Sequence, residues 1–318
     1  KSEKLARVIR DLAGRGPTAP LEARARAMLR ALAARPDPTA LGVLESLADL
    51  LTSHVFQAIE VDEEGMARMR EAARHGTLVL LPSHKSHVDY LLLSWVLRKH
   101  ALSVPVVAAG ENLSFFPVGP LFRRSGAFFI RRDFKGDRLY VAVVDAYVRK
   151  LLRDGHAIEL FLEGGRSRSG KLLAPMLGLL NMVVDAALGA EGTRVFFVPI
   201  SIAYERMMED KAFARELLGH AKERESARSL VEVAGVLREQ YGRVSVQVGE
   251  PTELSALARE LGVSPGDGVP PAKRRALVTR LAYRVMNEIN RVTTVTPGAL
   301  VATVLLSRGP RGLAHREL

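Results

Sequence analysis

From Leu5 to about Phe56 apolar residues recur at every third or fourth position, and the pattern breaks at Gly14–Pro20 and at Pro36-Asp37-Pro38. That spacing gathers apolar side chains on one face of a helix, and the Gly/Pro breaks act as turns, so three N-terminal helices are expected. From Thr77 the pattern changes. Short β-rich runs appear at Thr77–Leu81, Val104–Ala108, Ala127–Ile130, Ala157–Leu162, Val195–Ile200 and Val244–Val248. Helical spacing returns between them at about Asp89–His100, Asp137–Arg153, Met176–Leu188 and Leu230–Gln240. Runs that are apolar at nearly every position suit strands covered on both faces. Their alternation with helices predicts an α/β domain with a mixed, largely parallel sheet covered by helices. After Pro251 a polar Gly/Pro loop at Val263–Pro271 precedes a long helix from about Ala272 to Arg291. The expected organisation is an N-terminal helical module over residues 1–58, an α/β domain over 59–260 and a C-terminal helical region over 261–318.

Composition narrows the function. With 46 Lys and Arg against 35 Asp and Glu among 318 residues, the net charge of +11 favours phosphorylated ligands, nucleic acids or anionic lipid surfaces. Cysteine is absent, which removes disulfides, thiolate nucleophiles and Cys-based metal sites. The segment Lys1–Gly14 alternates charged and apolar residues and lacks the apolar core of a signal peptide. The longest apolar runs, Tyr90–Leu97 and Ala299–Leu306, fall short of the ~18 residues of a membrane-crossing helix, so any membrane contact is expected at the surface. Aromatic content of 6% and the lack of a nucleic-acid-binding motif argue against nucleic acid as a partner.

Four clusters carry candidate chemistry. The run Leu81-Pro82-Ser83-His84 ends the first strand and Asp89 opens the next helix, so a base and a carboxylate flank one strand-to-helix turn. A catalytic His needs such a partner to fix its tautomer and stabilise its imidazolium. The same residues also fit a capping box, with Ser86 as N-cap and Asp89 reaching back to its N–H, and His87 is a second candidate base. In the second cluster, Arg131 and Arg132 end the run Gly126–Ile130 shortly after Arg123 and Arg124. Four arginines within ten residues favour an anion site at the sheet's C-terminal edge over a solvated basic rim.

The third cluster, Phe161 to Lys171, nearly matches a P-loop from Gly165 to Lys171, and the match fails at Leu172, where magnesium binding needs Ser or Thr. It still offers Gly-rich backbone for close ligand approach, with Arg166, Arg168 and Lys171 for a dianionic phosphate. Glu163 fits either a structural pairing with an Arg or a contact to a substrate hydroxyl. The fourth cluster, Val198-Pro199 leading to Tyr204, would in isolation be an edge or buried strand.

Taken in order, His84-x4-Asp89, Gly126-x-x-Phe-x-Arg131, Phe161-x-Glu-Gly-x-Arg-Ser-Arg168 and Val198-Pro199 resemble the motif set of the glycerolipid acyltransferases. The resemblance is nearest to the bacterial membrane-associated type that acylates glycerol 3-phosphate or dihydroxyacetone phosphate. Ala108–Leu113, Gly119–Arg124, Tyr204–Arg206, Lys222–Ser226 and Val248–Pro251 carry it further, and it extends from about Gln57 to Leu306. Members are usually much longer, and Ala299–Thr303 resembles a segment that more chain follows in them, which implies a truncated or a compact member.

The resemblance implies that His84 is a general base oriented by Asp89. His84 would remove the proton from the 1-hydroxyl of glycerol 3-phosphate as it attacks the thioester of acyl-CoA or acyl-carrier protein. Arg131, Arg132, Glu163, Gly164, Arg166 and Arg168 would form the polyol-phosphate site, with Pro199 on the acyl side. No metal, further cofactor or covalent enzyme intermediate is implied. Dihydroxyacetone phosphate and lysophosphatidic acid are alternative acceptors, and a non-catalytic basic membrane- or nucleic-acid-binding module is the alternative from another class. The expected place of action is the cytoplasmic side of a membrane, at its surface.

Overall fold

In a computed structural model, residues 2–114, 118–131, 136–167, 169–190, 192–207, 209–210, 239–264 and 268–308 are described. Three helices open the chain: α1 (Glu3–Ala13), α2 (Ala19–Leu32) and α3 (Pro38–His54). There follow β1 (Ala58–Val61), α4 (Glu63–His75), β2 (Thr77–Pro82), α5 (Asp89–Lys99), β3 (Val106–Gly110), a 3₁₀ turn (Glu111–Leu113), α6 (Val118–Arg124) and β4 (Ala127–Ile130). Then come α7 (Arg138–Arg153), β5 (Ile158–Glu159), α8 (Leu177–Leu188), β6 (Val195–Tyr204), β7 (Arg243–Val248) and β8 (Thr252–Glu253). The chain returns to helix in α9 (Leu254–Glu260), α10 (Pro271–Val292) and α11 (Pro297–Ser307). The helix expected at Leu230–Gln240 lies, except for its last two residues, outside the described residues.

The sheet runs β1-β7-β6-β2-β5-β3-β4, with β8 also pairing β6. Neighbours are parallel except that β7 and β8 run antiparallel to β6. This is the mixed, largely parallel α/β sheet that the apolar runs predict. Alternate residues of one strand enter opposite cores. In β6, Val195 and Phe197 join one cluster with α7, α8 and α10, while Phe196, Val198, Ile200 and Ile202 join the other with α3, α4 and α5. Burial on both faces explains why these strands lack polar alternation. Phe197 and Phe128 are wholly buried, each stabilising the fold by ~1.5–3 kcal/mol relative to exposure.

Two elements depart from the hydrophobic pattern. The strand β1 lies at the sheet's end, half exposed, and pairs Ala58–Val61 with Arg243–Val246. The helix α4 is rich in charge, and it is defined instead by its cap, where Asp62 accepts the Gly65 N–H at 2.9 Å. The strand expected at Ala157–Leu162 is regular only over Ile158–Glu159. After the Leu160 N–H donates to the Leu80 carbonyl at 3.0 Å, the chain leaves the ladder for the Gly-rich loop.

The first core cluster draws on α1, α2, β2 and α10 together. Lys4 of α1 bonds Asp145 (3.0 Å) and Asp185 (2.6 Å), Arg149 bonds both carboxylates, and Arg274 of α10 bonds Asp185 at 2.6 Å. Burial opposes ionisation of Asp185, but Lys4 and Arg274 outweigh it and hold the carboxyl below its ordinary range. The parallel pairing of β6, β2, β5, β3 and β4 sends all five strands toward one edge. The His84, Gly-rich and Arg131 segments therefore leave the sheet on the side where ligands of open α/β sheets bind.

Candidate active site

The site begins where β2 runs out. Ser83 extends the ladder by one residue: its N–H donates to the Ile200 carbonyl (2.8 Å) and its hydroxyl accepts the Ile202 N–H (3.0 Å). The next residue, His84, turns away, and its N–H donates to Glu163 Oε1 at 2.8 Å. The imidazole Nδ1 lies 3.0 Å from Asp89 Oδ2. A carboxylate only accepts, so Nδ1 carries the proton and Nε2 is the ring nitrogen left for a substrate. Phe161 lies against the imidazole with ring centroids 4.1 Å apart, fixing the ring's plane from the β5 side.

Asp89 is completely buried. Its Oδ2 also accepts the Lys85 N–H (2.7 Å) and the Ser86 N–H (2.9 Å), and its Oδ1 accepts the Tyr204 hydroxyl at 2.6 Å. The two sequence readings of this turn thus coexist. Asp89 makes the backward half of a capping box, and the Ser86 hydroxyl accepts the Val88 N–H at 3.3 Å rather than the Asp89 N–H while donating to Glu209 at 2.9 Å. His87 lines the same cleft as His84, and its N–H donates to Glu209 at 2.9 Å.

Glu163 is buried, and its two oxygens accept the His84 and Leu173 N–H groups at 2.8 and 2.9 Å. Burial pushes this carboxyl up, against those two amides and the charges of His84 and Lys85. Burial likewise pushes the Lys85 ammonium down, against the charges of Asp89 and Glu163. Gly164 sits at φ +63°, a left-handed conformation that favours glycine, and a Cβ there would also push the exposed Met176 side chain aside. Ser167 N–H donates to the His84 carbonyl at 2.8 Å, stitching the Gly-rich loop to the turn after β2. Arg166, with its side chain 15% exposed, reaches Glu209 Oε1 at 3.4 Å.

His84, His87, Gly164, Gly165 and Arg166 line a cleft of about 200 Å³. Its other walls come from Leu44 of α3, Tyr90 of α5, Val107 and Ala109 of β3 and Phe122 of α6, with Ser94, Asn112 and Ser125 among them. Glu159 is fully buried, and among the described residues neither carboxyl oxygen has a hydrogen-bond partner. Burial, with the nearby Asp89 charge, pushes the Glu159 carboxyl well up.

The remaining candidates are placed differently. Arg131 ends β4, two strands from β5; its guanidinium stacks 4.4 Å from the Tyr140 ring centroid and lies 3.5 Å from Asp137. It does not line the cleft. The four-arginine cluster is divided: Arg123 donates to the Ala33 carbonyl at 2.9 Å, and Arg124 pairs with Asp37, so both fasten the α2–α3 link. Arg132 and Arg168 lie outside the described residues. Pro199 is buried in mid-β6, paired with Leu81, and is not among the residues around the cleft. Its carbonyl accepts the Gly249 N–H at 2.9 Å, so its missing amide faces the break between β7 and β8, where a central strand tolerates proline.

Tyr204 and Glu209 are the contributors to which the sequence assigns no role. Tyr204 stands inside a recognised segment, but only the sheet register brings it over Asp89. Glu209 follows in a polar run with no feature to distinguish it.

Two family models match the chain: Acyltransferase over residues 61–203 and Glycerol-3-phosphate acyltransferase C-terminal region over residues 213–318. The dihydroxyacetone phosphate acyltransferase of Bos taurus is 40% identical over 283 residues, covering 85% of this chain and 42% of that protein. The glycerol-3-phosphate acyltransferase of Pasteurella multocida is 38% identical over 299 residues, covering 92% of this chain and 37% of that protein. The chain thus spans about two fifths of the length of these curated relatives. Among solved structures, the 1-acyl-sn-glycerophosphate acyltransferase of Thermotoga maritima aligns over 80% of this chain and 81% of its own, at 16% identity and a TM-score of 0.44.

Proposed function

The chain belongs to the glycerol-3-phosphate and dihydroxyacetone-phosphate acyltransferase family, and from that premise we propose that it transfers a fatty acyl group from a thioester carrier to the 1-hydroxyl of glycerol 3-phosphate. The observation that carries the reading is the 3.0 Å contact between His84 Nδ1 and the buried Asp89 carboxylate, beside the cleft that His84 lines. His84 Nε2 takes the hydroxyl proton while the hydroxyl oxygen bonds the thioester carbonyl carbon. The C–S bond then breaks, and the proton passes from Nε2 to the leaving thiolate. Such a base contributes ~10²–10⁴-fold, and positioning of the two substrates contributes much of the remainder.

Arg166 and the Gly-rich backbone beside it grip the acceptor's phosphate. Support comes from the donors already gathered there: the Arg166 guanidinium, the Ser86 hydroxyl and the His87 N–H hold the Glu209 carboxylate, and donors of these kinds hold phosphate equally well. Arg131, Arg132 and Arg168 are assigned to the same phosphate by the family motifs alone, since Arg131 does not line the cleft and the other two lie outside the described residues. The apolar walls of the cleft suit the acyl chain. Dihydroxyacetone phosphate is the second acceptor reading, favoured by the 40% identity to the bovine enzyme of that name.

Among the described residues no single helix is long and apolar enough to cross a membrane. The helix α11 has no buried residue, exposes Leu300, Leu305 and Leu306, and turns 93° from α10. It rests on the surface of an anionic bilayer, as the net charge of +11 favours. Complete recovery in the supernatant with anionic liposomes present would count against that placement.

The deciding experiment is an acyl-transfer assay across glycerol 3-phosphate, dihydroxyacetone phosphate and lysophosphatidic acid with both carriers. Glycerol 3-phosphate is expected to give the highest kcat/KM, and His84→Ala to abolish turnover with the fold intact. Full activity in His84→Ala would sink the assignment.

A further inference from the structure

We infer that Tyr204 is a positioning residue of this site, its hydroxyl locking the Asp89 carboxylate so that Oδ2 alone is presented to His84. The inference rests on the acyl-transfer reading above. It starts from a mismatch in strand length. β2 pairs with β6 from Val195 to Ile200, but β6 continues to Tyr204 because β7 supports it on the other side, from Ile200↔Val248 to Tyr204↔Val244. The four residues Ser201–Tyr204 therefore overhang the end of β2 and run beside the turn that carries His84 and Asp89. Tyr204 is the last of them, with its ring against Phe56 at 6.1 Å between centroids.

The donors on Asp89 divide unequally. Oδ2 accepts from His84, Lys85 and Ser86, all within its own turn, whereas Oδ1 accepts only the Tyr204 hydroxyl among the described residues. Among the described residues that bond, at 2.6 Å, is the one hydrogen bond to the carboxylate from outside the turn. Without it a buried oxygen loses its donor, and rotation of the carboxylate becomes the means of recovering one. The dyad then loses its single geometry. Burial and the Asp89 charge both push the Tyr204 phenol well up, so it stays protonated and donates throughout the working range.

The other titratable groups around the dyad are Lys85 in its own turn, Tyr90 of α5, Glu159 in β5, Glu163 in the Gly-rich loop and Glu209 after β6. All of them remain in a Tyr204→Phe variant. The variant therefore removes one hydrogen bond from the carboxylate and no charge from the site.

The test is steady-state kinetics on Tyr204→Phe, Asp89→Asn and the double variant, with His84→Ala as reference and Tm for each. Tyr204→Phe should lower kcat about 10- to 100-fold, the scale of one hydrogen bond to a charged group, with both KM values within about threefold of the parent. In the Asp89→Asn background the same change should add little further loss, because its route through Asp89 is already cut. A wild-type kcat in Tyr204→Phe, a loss that appears in KM rather than kcat, or full additivity with Asp89→Asn would overturn the inference. If Tyr204→Phe loses its fold, Tyr204→His and Tyr204→Gln, which keep a donor, should recover more turnover than Tyr204→Leu at equal Tm; equal turnover would overturn it too. Activity in His84→Ala, by contrast, would strike the acyl-transfer reading itself.

Discussion

The turn after β2 and the segment after β4 leave the same edge of the same sheet, yet they are built in opposite ways. After β2, Asp89 and Ser86 are wholly buried and Glu163 nearly so, and the polar groups cross-bond between β2, the Gly-rich loop and β6. After β4, the Arg131 side chain is 41% exposed and leans on Tyr140 with Asp137 at 3.5 Å. The first arrangement is costly to disturb because each buried donor or acceptor would be left unpaired, which is how a site holds proton-transfer geometry. The second leaves a guanidinium room to move. The two arrangements stand three strands apart in one sheet.

The strongest challenge to this contrast is Asp89→Asn. If Asp89 only caps α5, Asn serves nearly as well, since the two rank together as caps. If it orients His84, turnover should fall ~10³–10⁴-fold, because Asn can turn its amide toward Nδ1 and favour the wrong tautomer. Measurement of kcat beside Tm separates the two, and a Tm loss with kcat retained would reduce the turn to a cap. Next in size is Arg166→Ala, which should raise KM for the phosphorylated acceptor about 10- to 100-fold with a smaller change in kcat. It should also free Glu209, whose carboxyl is pushed up by burial against the His87 and Ser86 donors and the Arg166 charge. Arg131→Ala should raise the same KM only severalfold, as an exposed, solvent-screened pair allows. Equal effects of the two arginine variants would erase the distinction between a closed and an open side.

Much of this was legible in the sequence, and the failures share a cause. Strands of the sheet's middle declared themselves because burial on both faces leaves near-continuous apolar runs, as in Val195–Ile200. The helix α4 and strand β1 did not, since one is defined by a cap and charged surface and the other is a half-exposed end strand. In the site, His84, Asp89, Gly164 and Arg166 were legible because they sit within a few residues of a strand end, where local order implies spatial proximity. Tyr204 and Glu209 were not, because they reach the turn 115 and 123 residues away in sequence, through the overhang of β6. Local density also misled: Arg123 and Arg124 strengthened the apparent arginine cluster, but α6 turns them back to Ala33 and Asp37.

The smallest expected effect is on stability, and it has opposite signs on the two sides. Beneath the closed side, Glu159 is pushed well above the ordinary range by burial and by Asp89. Its folded form therefore binds the proton more tightly than the unfolded chain does. Its contribution to stability is full below the unfolded value of ~4.3 and is lost as pH rises through the folded value. Glu159→Gln cannot ionise, so its Tm should match the parent's near pH 4 and exceed it increasingly toward neutral and alkaline pH. On the β4 side, the Arg124 hydrogen bond first, then the Ala40 amide, holds Asp37 below its ordinary range. That stability is present above ~3.9 and fades as pH falls through the lower folded value. Asp37→Asn should thus have a lower Tm than the parent at pH 7, with the gap closing in acid. Thermal melts from pH 3 to 8 on both variants read the two slopes directly. A flat difference for Glu159→Gln would mean that this carboxyl is not held neutral, and that the closed side tolerates a charge under its floor.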